Sequence, residues 1–257
     1  MTKRIDSLFQ RFAHRRFLRR WDWLADQASD LNLASLRVAR SRARQLRRPL
    51  DRLVQIAENR LALPLIGSNS IQTPLGSDWS YRPEIWRGPV SPLGHSAVAN
   101  KTLIGNEATV FHDCSISELT FRQMRNTREA DTAPFGLRLD VFQFDGSFLS
   151  LVLDLPDSAV AGLKKRHLLR MHAIVEMEKP LEIFARLNIR HGPNTEQIVR
   201  ELPLFEDEVM VEFDLAYTKM NEKRVDHVWI DLIFEGPEMN QITLHDVTFS
   251  RRPRADL

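Results

Sequence analysis

From about residue 108 to the C-terminus, apolar residues recur at every second position in short runs, each closed by turn residues. Leu137, Leu139 and Val141 alternate with Arg138 and Asp140, and the runs 168–177, 181–189, 209–215, 225–234 and 242–249 repeat the pattern. A period of two sends one face of a segment into a core and the other away from it, which is strand geometry. His191-Gly192-Pro193-Asn194, Lys219-Met220-Asn221-Glu222 and Glu235-Gly236-Pro237-Glu238 separate the runs as turns. Many short strands without helical pattern between them predict a mainly β fold, an antiparallel, jelly-roll-like β-sandwich over 107–257. Phe144-Asp145-Gly146-Ser147 ahead of the run 148–153 predicts a hairpin with Asp-Gly at its tip. Residues 163–166 read as a loop or a strand start.

The N-terminal 1–63 obeys another period. Ala13, Phe17, Trp21, Leu24, Ala28 and Leu31 lie three and four apart, as one apolar stripe of a helix. Leu36, Ala39, Ala43, Leu46, Leu50, Leu53, Ala57 and Leu61 form a second stripe after a break at 29–32. Pro49 predicts a kink or restart near Arg48, and Leu63-Pro64 with Gly67 predicts the end. The expected organisation is a basic helical arm able to fold as a hairpin, then a Pro/Gly-rich linker over 64–106 packed on the body, then the sandwich.

Charge follows the same division. Residues 1–60 hold 15 basic and 6 acidic groups, net +9, while 61–257 hold 21 basic and 28 acidic, net −7. A basic arm on an acidic body predicts docking to an anionic partner, with Arg15, Arg16, Arg19, Arg20, Arg47 and Arg48 as the contacts. An anionic membrane surface, an acidic protein, nucleic acid and self-association all remain open as that partner; a solvated helix face accounts for the charge equally well. Arg15-Arg16-Phe17-Leu18-Arg19 resembles an export signal only in its first residues, because Asp22 and Asp26 interrupt the apolar stretch that should follow. With no signal peptide and no apolar run of about 18 residues, the expected location is the cytoplasm, or the inner face of a membrane as a peripheral protein.

Chemistry-bearing motifs are sparse. Cys114 is the single cysteine, so no internal disulfide forms. His112 and Cys114 share a strand face with no further ligand at metal spacing, and His167 and His172, five apart, fall on opposite faces. No metal and no cofactor is expected. A Gly-rich phosphate loop, a G-x-S-x-G elbow and an H-E-x-x-H pair are all missing, so no catalytic residue is assigned. In the linker, Trp79, Tyr81 and Trp86 either pin the segment to the body or form an exposed platform. Arg122, Gln123 and Asn126 near one strand end, and Asn188, Arg190, His191 and Asn194 further on, are planar polar side chains of the type that binds sugars beside aromatic rings. Turn chemistry is the alternative for them.

Ile242-Thr243-Leu244-His245-Asp246-Val247-Thr248-Phe249 is similar to the last strand of carbohydrate-binding modules, and Val228-Trp229-Ile230-Asp231-Leu232 fits a preceding core strand. On these runs residues 105–252 resemble the jelly roll of those modules, a pattern that capsid and receptor-binding domains also satisfy. The whole chain is similar to members of an uncharacterised bacterial family. The resemblance implies a non-catalytic binding or attachment protein whose sandwich contacts a glycan or protein ligand. A glycan-active hydrolase using a carboxylate pair and a purely structural component are the alternatives.

Overall fold

Alternation at period two leaves thirteen strands among the described residues, which in the computed structural model are 15–61, 71–128, 131–206 and 208–254. They are β1 (Trp79–Tyr81), β2 (Gly94–Ser96), β3 (Thr102–Ile104), β4 (Ala108–His112), β5 (Ser117–Arg125), β6 (Phe135–Phe144), β7 (Leu149–Asp154), β8 (His167–Met177), β9 (Ile183–His191), β10 (Asn194–Glu201), β11 (Glu208–Asp214), β12 (Val225–Phe234) and β13 (Asn240–Pro253). Sheet I runs β11-β8-β13-β6-β5-β2, with β1 also on β13; sheet II runs β10-β9-β12-β7-β4-β3. Every pairing is antiparallel. The fold is therefore mainly β, a two-sheet antiparallel sandwich preceded by a helical segment.

Its core is the in-phase set of both sheets. Leu137, Leu139 and Leu244 from sheet I meet Leu151, Leu187, Ile230 and Leu232 from sheet II, all buried. Each such side chain contributes roughly 1.5–3 kcal/mol of burial against the entropy of ordering it.

The expected hairpin at Asp145-Gly146 does not form. β6 belongs to sheet I and β7 to sheet II, so residues 145–148 cross between sheets. The crossover β4→β5 runs beside it, and the two clamp each other. Asp113 accepts from the Ser147 amide and hydroxyl at 2.7 and 2.6 Å, and Asp145 accepts from the Ser115 amide at 3.0 Å and from its hydroxyl. The Ser147 and Ser115 hydrogen bonds hold the Asp113 and Asp145 carboxyls below the usual range. A Cβ at position 146 would sit 2.5 Å from Asp113 Oδ1 and 3.0 Å from the Cys114 amide, so only glycine fits this crossing.

The described part of the segment expected as a linker, 71–106, is built into the sandwich. It supplies β1, β2 and β3 and a short helix α3 (Glu84–Arg87) that drives Ile85 and Trp86 wholly into the core. Gln123 fixes the chain around it, donating to the Ile85 and Gly88 carbonyls at 2.6 and 2.8 Å and accepting from the Val90 amide. Arg82 makes a two-point pair with Asp246, Nε to Oδ1 at 2.9 Å and Nη2 to Oδ2 at 2.7 Å, both residues buried.

The described residues divide into two compact units at Ala57 and Glu58. In the first, helix α1 covers 15–26 and helix α2 covers Leu33–Leu61, its start capped by Asn32 Oδ1 accepting from the Ser35 amide at 2.9 Å. The predicted restart near Arg48 does not occur: α2 runs through Pro49. Arginine, leucine and glutamine on either side favour helix, and the Gln45 carbonyl left without an amide lies on an exposed stretch where water reaches it. Ala13, Leu63-Pro64 and Gly67 lie outside the described residues, as does the Arg48 side chain. No described helix is long and apolar enough to cross a membrane.

A short helix α4 (Asp157–Val160) leads to His167, a buried histidine with a predictable signature. Its Nδ1 accepts from the Lys164 amide at 3.1 Å, and Nε2 lies 3.6 Å from Asp78. Burial holds its pKa below the ordinary histidine value, with Asp78 opposing. The unfolded chain then binds the proton more readily, so stability is complete above about pH 6.5 and declines as pH falls below it. Thermal melts between pH 8 and 5 should show that decline, and His167→Gln should flatten it; an unchanged slope in the variant would remove His167 as its source.

Candidate binding face

On sheet II the residues out of phase with the core make a second surface. Along β12, Val228, Ile230, Leu232 and Phe234 enter the core, so His227, Trp229, Asp231 and Ile233 face the other way. β9 sends Phe184, Arg186, Asn188 and Arg190 to that side, β7 sends Ser150, Val152 and Asp154, and β4 sends Phe111. The register sets Asp231 between Arg186 and Val152, Trp229 between Asn188 and Asp154, and Ile233 between Phe184 and Ser150.

There an open cavity of about 500 Å³ has aromatic walls, Phe111, Phe148 and Trp229, and a polar floor, Ser150, Arg186 and Asp231. Although they point out of the core, Asn188, Asp231 and Ser150 are only 1%, 3% and 5% exposed. Ser150 and Asp231 lie at the bottom of the recess and not on a solvated sheet, and Asn188 is buried beside Asp231.

A chain of hydrogen bonds sets their geometry. Arg186 donates to Asp231 Oδ2 from Nε at 2.7 Å and lies within 2.6 Å through Nη2. Asn188 Nδ2 donates to the same oxygen at 3.1 Å, and Gln197 Nε2 on β10 donates to Asn188 Oδ1 at 2.9 Å. Oδ2 is thus saturated. Asp231 Oδ1 and Ser150 Oγ are buried without a protein partner. Leaving such an atom unpaired costs about 1–3 kcal/mol, which a ligand hydroxyl can offset. Beside them the Trp229 ring stacks on His227, centroids 5.0 Å apart, and His227 Nε2 is 3.0 Å from Asp154 Oδ1. The indole is braced on one face by His227 and edged by polar groups, an arrangement that matches a sugar's apolar face and hydroxyl rim.

The residues singled out from sequence are not gathered at one place. Asn188 lies on this face bonded to Asp231, and Arg190 lies on the same face of β9, donating to Asp226 at 2.7 Å. Asn194 is exposed at the turn into β10, while His191 is in phase with the core and buried. Arg122 is on sheet I, opposite Arg138. Gln123 and Asn126 are buried fasteners there, Asn126 Nδ2 donating to the Ala133 and His245 carbonyls at 2.8 Å each. Trp86, wholly buried, donates from Nε1 to the Leu244 carbonyl at 2.8 Å and offers a ligand no surface. Trp79 and Tyr81 stack on each other and pack partly on the core; burial and a hydrogen bond to Glu107 raise the Tyr81 hydroxyl's pKa. His112 is likewise structural, its Nε2 2.8 Å from the Val98 carbonyl. Among the described residues no group of three or more His, Cys, Asp or Glu is placed to hold a metal.

Of the docking arginines, Arg15, Arg16, Arg19 and Arg20 are exposed, and Arg47 pairs with Asp51 at 3.1 Å on the helix surface. Arg37, Arg40 and Arg44, which were not among the expected contacts, share a shallow groove on α2. Trp229 and Asp231 were likewise not among the expected site residues. The signal for them was available: a tryptophan and an aspartate two apart, at the out-of-phase positions of an otherwise apolar alternation.

Several solved structures are similar to this chain. One is the enzymatically active domain of a bacteriophage CBA120 tailspike protein, at 7% identity and a TM-score of 0.40, covering 60% of this chain and 21% of that one. Another holds the CBM22 and GH10 modules of a Clostridium thermocellum endo-1,4-β-xylanase complexed with xylohexaose, at 11% identity and 0.34, covering 53% and 25%. A third is the family 11 carbohydrate-binding module of a Clostridium thermocellum cellulosomal cellulase, at 10% identity and 0.39, covering 63% and 97%. The chain thus spans about a fifth and a quarter of the tailspike and xylanase chains. No curated protein matches. One family model, described as a family of unknown function, matches residues 1–257.

Proposed function

Since the chain belongs over residues 1–257 to the family of unknown function DUF6478, its family supplies no activity, and we propose from its own geometry that it is a non-catalytic glycan-binding protein. The ligand lies on the outer face of sheet II. The observation that carries this reading is Trp229: a tryptophan at an out-of-phase position, braced by His227, beside a recess whose polar floor is Ser150, Arg186 and Asp231, with Asn188 and Gln197 holding Asp231 from one side. A sheet surface with no ligand has little need of a buried amide, Asn188, and a buried carboxylate, Asp231, outside its core, because desolvating them is costly. Asn188 and Arg190 are the sequence candidates that this reading retains. The basic helical unit is its attachment element, with Arg15, Arg16, Arg19, Arg20 and Arg47, joined by Arg37, Arg40 and Arg44, as contacts for an anionic partner.

Affinity electrophoresis of the full chain through gels containing soluble plant and bacterial polysaccharides tests the reading, with reducing-end release measured in parallel. Retardation by at least one polysaccharide without release is the expected result. Release that disappears in Asp154→Asn or Asp231→Asn would establish the hydrolase alternative instead.

A further inference from the structure

The recess floor selects among glycans. We infer that Asp231 Oδ1 and Ser150 Oγ form a subsite that receives hydroxyl donors, so that the ligand is a neutral sugar unit and not a uronate or a sulfated one. This rests on placing the glycan at sheet II.

Arg186 points two of its N–H groups at Asp231, and Asn188 spends one amide hydrogen on Asp231 and the other on the Arg186 carbonyl, 3.0 Å away. Gln197 fills the acceptor of Asn188. The Asn188 and Gln197 donors on this face, and the two Arg186 N–H groups that point inward, are thus turned towards one another or towards Asp231 Oδ2, and Arg186 keeps its remaining N–H groups on its exposed side. What is left over is an acceptor, Oδ1, and a hydroxyl, Ser150 Oγ. The register places Ser150 opposite Ile233, diagonal to Asp231 on the neighbouring strand and on the same face. Adjacent hydroxyls of one sugar ring match that diagonal, one donating to the carboxylate and one exchanging with the serine.

Charge points the same way. The Arg186–Asp231 pair is balanced, and the next carboxylate, Asp154, lies beside Trp229 across the strand pair. An anionic sugar would face Asp154 and Oδ1, while Arg186, the one cation among the described residues that lines the cavity, is already neutralised by Asp231, and like charges at this range disfavour binding. Both subsite atoms are buried, so a hydroxyl reaches them as Phe148, 41% exposed on the cavity wall, turns aside while Arg186 keeps its pair with Asp231.

The test is titration of the full chain with neutral polysaccharides (mixed-linkage glucan, xylan, galactan) and with polygalacturonate and alginate, repeated with Asp231→Asn and Ser150→Ala. Asparagine is isosteric and can keep an oxygen towards Arg186 while setting an amide donor where Oδ1 stood. Binding of a neutral glycan at least tenfold tighter than either uronate, with about a tenfold loss in Asp231→Asn and a smaller loss in Ser150→Ala at unchanged melting temperature, is the expected outcome. Should Asp231→Asn bind like the parent, or a uronate bind as tightly as any neutral glycan, the subsite is wrong although the protein binds glycans. Should no glycan bind the parent chain, the sheet II reading fails and takes the subsite with it. If Asp231→Asn melts early, Ser150→Ala and the neutral-to-uronate ratio decide alone.

Discussion

Asp246→Ala should destabilise the sandwich by about 3–5 kcal/mol, because it strands a guanidinium that has no route to water. Arg82 and Asp246 are 3% and 1% exposed, and their two-point pair is completed by Thr132 Oγ1 donating to Asp246 Oδ2 at 2.7 Å. The pair bolts the segment before α3 to β13 where that strand has a register irregularity between Leu244 and Asp246. For a body of this size the loss lowers Tm on the order of 10 °C. Exchanging both partners for apolar residues, Arg82→Met with Asp246→Leu, should recover most of the loss, since the penalty lies in the unpaired charge and not in the missing attraction. Arg190→Ala supplies the contrast. Its pair with Asp226 is half exposed on both sides, so it should cost under about 1 kcal/mol. A single Asp246→Ala as mild as Arg190→Ala would contradict the account of how the 78–92 segment is held.

That segment also marks where the sequence stopped being legible. Strands that bury one face announced themselves: β8, β11, β12 and β13 lie where Leu169, Val211, Ile230 and Leu244 alternate with polar neighbours. β10 did not, because an edge strand reading Asn-Thr-Glu-Gln-Ile-Val-Arg-Glu has little apolar face to show. Alternation identifies a strand without naming its partner, so β6 and β7 were expected to pair although the Asp113 and Asp145 clamps carry the chain between sheets. The short strands β1, β2 and β3 are only three residues each, below the length at which a period can be read. At the binding face the difficulty was different. Asn188 was visible as a planar polar residue, but Trp229 and Asp231 hid inside a strand apolar enough to pass for core, and Gln123 and Asn126 looked like site residues because buried fasteners and sugar ligands draw on the same side chains.

Trp229→Ala carries the largest expected effect on function. Removing the indole takes away the flat apolar surface of the recess and the ring against which His227 stacks, while Val228, Ile230 and Leu232 still hold β12 in the core. A central aromatic anchor is worth about 2 kcal/mol or more, which is roughly a thirtyfold loss of affinity or greater. Stability should change little, because the ring stands outside the core. The arm should not respond at all. Isothermal titration of the parent and of Trp229→Ala with a polysaccharide that retards the parent, alongside Trp79→Ala as a second partly buried tryptophan on sheet I, puts the assignment of the face to the test. The predicted result is binding abolished or weakened at least thirtyfold in Trp229→Ala and preserved in Trp79→Ala; equal affinity of parent and Trp229→Ala, with binding lost in Trp79→Ala, would place the ligand on the other sheet and contradict the account.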